Sequence, residues 1–179
     1  MKKSVLTAFI TVVCATSSVM AADDNAITDG KVTFNGKVIA PACTLVAATK
    51  DSVVTLPDVS ATKLQTNGQV SGVQTDVPIA LEDCDTTVTK NATFTFNGTA
   101  DTTQITAFAN QASSDAATNV ALQMYMNDGT TAITPDTETG NILLQDGDQT
   151  LTFKVDYIAT GKATSGNVNA VTNFHINYY

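Results

Sequence analysis

Asn167-Val168-Asn169-Ala170-Val171-Thr172-Asn173-Phe174-His175-Ile176-Asn177-Tyr178-Tyr179 closes the chain. Val168, Ala170, Thr172, Phe174, Ile176 and Tyr178 fall on one side of a period-2 repeat. Asn167, Asn169, Asn173, His175 and Asn177 fall on the other. This alternation is the signature of a half-buried β-strand. A core-facing strand with no turn residues after it has no following strand to pair with. The expectation is a sheet edge or an open hydrophobic groove that another chain can fill.

Strand patterns recur upstream. Val32 and Phe34, then Val38 and Ala40, begin the series. Val53-Val54-Thr55-Leu56 follows and stops at Pro57. Val77, Ile79 and Leu81 alternate up to Cys84, and Phe94 and Phe96 alternate with threonines until Asn97-Gly98. Val120, Leu122, Met124 and Met126 precede the turn residues Asn127-Asp128-Gly129, the methionines reading as core filler. Ile142-Leu143-Leu144 and the run Leu151, Phe153, Val155, Tyr157 read as a hairpin joined through Asp146-Gly147-Asp148. The best helical candidate is short, Gln104–Asn110. Short strands with turn signals throughout predict an all-β sandwich.

Lys2 and Lys3, the apolar run Val5–Val13 and the small residues around Ala21 read as a secretory signal, residues 1–21, cleaved after Ala21 or Ala22. The apolar run is too short to span a bilayer, and no second one exists. The remaining 158 residues suffice for one domain. Seven lysines then stand against 17 acids, a net charge of −10, and there is no arginine. That charge, with no basic patch, argues against nucleic-acid binding. The acidity suits an exported protein that must stay soluble; steering of a basic partner is the sharper alternative.

Cys14 leaves with the signal, so Cys43 and Cys84 remain. An even pair in a secreted chain predicts one disulfide, worth about 4 kcal/mol on the chain-entropy model before strain is subtracted. A metal site needs more ligands than two lone cysteines and one distant histidine. Two Cα atoms about 4.4–6.8 Å apart are expected.

Chemistry-bearing patterns are scarce. His175 is the only histidine and lies on the polar face of the last strand. Neither a Gly-x-Ser-x-Gly elbow nor a His-Glu metalloprotease pair occurs. Asp83 and Asp85 flank Cys84 without a cleft to make them an acid/base pair. Asp146-Gly147-Asp148 reads as a turn before it reads as a cation loop. Asn91-Ala92-Thr93 and Asn97-Gly98-Thr99 match the weak glycosylation pattern. No catalytic, cofactor-binding or metal-ligating residue is predicted, nor an enzyme.

Near the other end, Thr28, Gly30, Val32 and Phe34 share one face of a would-be strand, with Asp29, Lys31 and Thr33 on the other. Residues 22–25 ahead of them are polar or small. The alternative is a hairpin turn at Asp29-Gly30 or Asn35-Gly36.

At these residues a resemblance becomes visible. Gly30-Lys31-Val32-Thr33-Phe34-Asn35-Gly36-Lys37-Val38-Ile39, followed by Ala42-Cys43, resembles the start of a mature type 1 fimbrial major pilin. Leu81-Glu82-Asp83-Cys84-Asp85 resembles the segment around that family's second cysteine, and Ala117–Gln123 its central strand. Tyr157–Gly166 and Phe174–Tyr179 resemble its C-terminal signature, a glycine fourteenth from the end (Gly166) and a penultimate tyrosine (Tyr178). The turn between Cys43 and Val53 and the region Thr99–Ser114 match no recognisable pattern and are expected to form a variable outer surface.

The resemblance implies an incomplete immunoglobulin-like β-sandwich lacking its final strand, residues 37–179, preceded by a donor-strand extension, residues 22–36. It implies a structural subunit of a chaperone–usher fimbria, polymerising head-to-tail by donor-strand complementation and exported through the periplasm to the cell surface. The partners implied are other copies of the chain, a periplasmic chaperone that lends a strand to the groove, and an outer-membrane usher. Thr28, Gly30, Val32 and Phe34 would be the donor face, with Gly30 at the tightest point of the groove. Gly166, Phe174, Ile176 and Tyr178 would belong to the groove and the strand that the chaperone pairs with. A minor or terminator pilin, or a self-contained secreted β-sandwich binding module, are the rival expectations.

Overall fold

The computed structural model describes residues 30–36 and 42–179, which belong to two compact units divided after Lys37. The proposed signal, Thr28, Val38 and Ala40 lie outside the described residues. Within the first unit, residues 30–36 have no regular secondary structure and are exposed. The turns considered at Asp29-Gly30 and Asn35-Gly36 would need residues outside those described.

The second unit is a sandwich of antiparallel sheets. Among the described residues the larger sheet runs in the order β1 (Thr44–Leu45), β2 (Thr75–Cys84), β8 (Gly147–Ala159), β5 (Val120–Tyr125) and β4 (Phe108–Ala109). The short strand β6 (Ala132–Ile133) also pairs with β5. The smaller sheet runs β7 (Ile142–Leu143), β3 (Asn91–Asn97), β9 (Asn173–Tyr178). Phe153 of β8 reaches from the large sheet to Phe94 and Phe96 of β3, with both ring centroids at 5.0 Å and near edge-on geometry. Phe174 of β9 joins this cluster at 5.9 Å from Phe96. Edge-to-face aromatic packing of this kind adds about 0.5–1.5 kcal/mol per pair to what burial alone supplies.

The alternating runs in β2, β3, β5, β8 and β9 became strands. Four other expectations are corrected. Val53–Leu56 makes no ladder; Val54 and Leu56 are half-buried, Leu56 against the core, while Val53 is exposed. Gln104–Asn110 is not a helix. The Asp101 carboxylate accepts from the N–H groups of Thr103 and Gln104, both at 2.8 Å, and diverts the backbone into a turn before β4. A single helical turn, α1, occurs instead at Ala47–Lys50.

Asp146-Gly147-Asp148 is not a hairpin. β7 pairs with β3 in one sheet and β8 with β2 in the other, so these residues form the corner where the chain changes sheets. Gly147 has φ +79°, and the Asp146 carboxylate accepts from the Thr86 N–H at 2.8 Å and the Thr86 hydroxyl at 2.7 Å. Lastly, Thr99–Ser114 is more than outer surface, because it carries the buried residues Ala107 and Phe108.

β5 is buried on both faces. Leu122 and Met124 enter the core; Ala121 and Gln123 lie beneath loops on the other side. The Gln123 amide donates to the Thr106 carbonyl at 2.9 Å and accepts from the Thr106 hydroxyl at 3.0 Å. Its cross-strand neighbour Asp156, equally buried, accepts from the Ser71 hydroxyl at 2.5 Å and the Gly72 N–H at 3.0 Å. These bonds satisfy the buried polar groups and fasten the loops over the sheet.

The β5–β6 hairpin turns at Asn127-Asp128-Gly129, with Gly129 at φ +69°. Hydrogen bonds from the Thr131 hydroxyl and from the N–H groups of Thr131 and Thr130 lower the Asp128 pKa to about 2. A depressed folded-state value means that the turn is supported above the usual carboxylate pKa of about 3.9 and loses that support as pH falls through the folded value. An NMR titration of the Asp128 carboxyl should have its midpoint near 2; in the Thr131→Val variant the midpoint should move toward the ordinary carboxylate range.

Candidate functional site: an open groove along the last strand

The alternation at the end of the chain holds over its whole length. From Val168 to Tyr178 the even-numbered residues are half-buried and the odd-numbered ones exposed. Only its second part, β9, pairs with β3, in the register Phe96↔Phe174, Phe94↔Ile176, Ala92↔Tyr178. Tyr179 and Asn91 exchange both backbone hydrogen bonds, 3.1 and 3.3 Å. In an antiparallel ladder these exchanged pairs alternate along the strand. The odd-numbered residues of β9 therefore turn their backbone groups toward β3.

The same parity continues upstream. The Gln111 N–H donates to the Asn169 carbonyl at 2.7 Å, and Asn167 exchanges bonds with Ala117 and Asp115 at 2.9 and 2.7 Å. Val168, Ala170, Thr172, Phe174, Ile176 and Tyr178 thus direct their N–H and C=O groups toward the other edge. No backbone partner for them is found there among the described residues.

Beside that edge lies a groove. One section, about 610 Å³, has Leu45, Val54 and Leu56 on one rim and Ala170 to Phe174 on the other. Its floor is the core itself, including Ile79, Phe96 and Met124. A second section of about 540 Å³ continues between Cys43–Leu45 and Phe174, Ile176 and Tyr178. Burial pushes the Tyr178 phenol pKa up, so it stays neutral in the groove. His175 and Asn177 face away, and Asn177 and Thr93 donate to the Glu138 carboxylate on the outer face.

Cys43 and Cys84 are bonded, with Cα atoms 4.0 Å apart, slightly closer than expected. The Asp85 N–H donates to the Ala42 carbonyl at 2.7 Å and draws the two segments together beside the bridge. Gly166 is placed differently from Phe174, Ile176 and Tyr178. It lies in the loop before the strand, not in the groove, at φ +155°. A Cβ there would come within 2.4 Å of the Ala117 nitrogen and 2.5 Å of the Asp115 carbonyl oxygen. Glycine is required by this backbone approach.

Of the candidate donor residues, Gly30, Val32 and Phe34 are described; Val32 is 73% and Phe34 90% exposed. Sequence reasoning missed the rim from Leu45 to Leu56. The Val54 and Leu56 alternation was its only signal, and it read as an ordinary strand.

The chain is 98% identical over 179 residues to the fimbrial subunit ElfA of Escherichia coli K12, covering all of both chains. The identity is the same, over the same length, to a protein of Escherichia coli O157:H7 named as a laminin-binding fimbrial subunit. Among solved structures, a chaperone–usher pilus subunit matches with a TM-score of 0.67 and 22% identity, over 85% of this chain and 96% of that one. That likeness shows the immunoglobulin-like pilin fold. The fimbrial protein family model matches residues 32–179. The chain belongs to the fimbrial protein family: it is a pilus subunit that is exported to the cell surface as part of a fimbrium.

Proposed function

We propose that in the fibre the open edge of residues 168–178 is completed by residues 22–36 of another copy, a structural and not a catalytic role. The unpaired backbone row beside a groove floored by core side chains carries this reading. An added strand satisfies the row, and its alternate side chains fill the groove. Val32 and Phe34 lie two residues apart, and each would gain roughly 1.5–3 kcal/mol on burial. Residues 37–179 would form the accepting domain. Head-to-tail donation between identical copies does not close on itself and grows a filament. Before assembly the same edge would be held by a strand from a periplasmic chaperone, which an outer-membrane usher exchanges for the next subunit.

Replacing Phe174 and Ile176 together with Asp places two carboxylates in the groove. Co-expression with the cognate chaperone should then give no recoverable soluble complex, and a normal yield would count against the reading. Deleting residues 22–34 should leave a subunit that binds the chaperone and accepts a donor but cannot donate; electron microscopy should show no long fibres from the deleted chain alone. The name of the O157:H7 relative further suggests that fibres of this chain bind laminin. Purified fibres should be retained on immobilised laminin over an albumin control, and equal retention would refute it.

A further inference from the structure

β3 ends at Asn97, opposite Asn173, so beyond that point the last strand has no neighbour from its own sheet. Residues 167–172 nevertheless form a rim of the larger groove section, through Asn169 to Thr172. Thr172 is held by its own hydroxyl, which donates to the Asn97 carbonyl at 3.0 Å. Residues 167 and 169 are held by the loop 110–117, whose hub is the Asn110 side chain. Its amide nitrogen donates to the Ala117 carbonyl at 2.9 Å and the Asn167 carbonyl at 3.0 Å. Its oxygen accepts from the Asn169 N–H at 2.9 Å and the Ala112 N–H at 3.1 Å. Two donors and two acceptor sites are all that an amide has, and all four are used.

Resting on the groove reading above, we propose that Asn110 is a positioning residue for strand acceptance: it holds residues 167–169 extended so that Val168 and Ala170 present their backbone groups to the incoming strand. The bond from Asn169 N–H and the bond to Asn167 C=O both act on odd-numbered residues, and so fix which parity faces the free edge. Gly166 lets the backbone approach residues 115–117 closely enough for the clamp to close. β9 is held independently by its ladder to β3. The groove wall therefore has two separately supported halves, and only one depends on Asn110.

Hydrogen exchange on assembled fibres tests this. In wild-type fibres the amides of Val168, Ala170, Thr172, Phe174, Ile176 and Tyr178 should all exchange slowly. Asn110→Ala should speed Val168 and Ala170 by about tenfold or more and leave Phe174, Ile176 and Tyr178 within about twofold, because local opening follows local support. Asn110→Asp supplies a second arm. At neutral pH its carboxylate faces two carbonyls and protection should be lost in the same half. As pH falls and the carboxyl protonates, it can donate to one of them, and protection corrected for intrinsic exchange should partly return. General destabilisation would not give that recovery. Equal acceleration across all six amides, or none, overturns the proposal. Wild-type fibres in which none of the six is slower than in unassembled chains overturn the groove reading instead.

Discussion

A β-strand carries hydrogen-bonding groups along two edges, and from Asn173 to Tyr178 this chain satisfies only one of them. The rest of the pilin unit is arranged around that deficit. The unpaired backbone row lies beside a floor made of core side chains, so one missing strand leaves both polar groups and apolar surface unsatisfied. Neither deficit alone specifies a strand as the remedy. A polar groove could stay wet, and an apolar one could take any greasy ligand. Together they suit the extended peptide with alternating side chains that the proposed function supplies.

The sandwich around the groove keeps it open without collapsing. Phe153 packs edge-on against both Phe94 and Phe96 and ties the two sheets together at the level of Phe174. On the far side of the large sheet, Gln123 and Asp156 fasten loops through hydrogen bonds and not through apolar contact. Such bonds add little net stability each, but breaking one leaves a buried group unpaired, so the loops have one favoured position.

Period-2 alternation made the long strands and the exposed edge legible, because each has one face in the core and one in solvent. Strand partnership was not legible. Ile142-Leu143 and Leu151–Tyr157 are near in sequence and flank a turn-like Asp-Gly-Asp, yet lie in different sheets. Nothing local distinguishes a corner from a hairpin when the same residues serve both. The single turn of helix after β1 and the irregular rim from Asp51 to Leu56 follow from tertiary contacts with β2 and the core, which no short window contains. The Asn110 clamp is equally invisible, since its partners sit up to 59 residues away. Gly166 was noticed as part of a signature, but its role depends on the backbone of residues 115–117.

The Cys43–Cys84 bridge has a mechanical consequence for a fibre held together by strand donation. A pull on such a fibre reaches each domain through the residues just before Cys43. Without the bridge it would next meet β1, two residues long and readily peeled from β2 one bond at a time. With the bridge, tension passes covalently to Cys84 at the end of β2. β2 is a ten-residue strand paired with β8 from Thr75 to Leu81 and again at Cys84, so more hydrogen bonds stand behind it than behind β1. The disulfide thus moves the load off a two-residue ladder and onto a longer one, and a fibre with reduced cysteines would yield at lower force even where its subunits remain folded at rest.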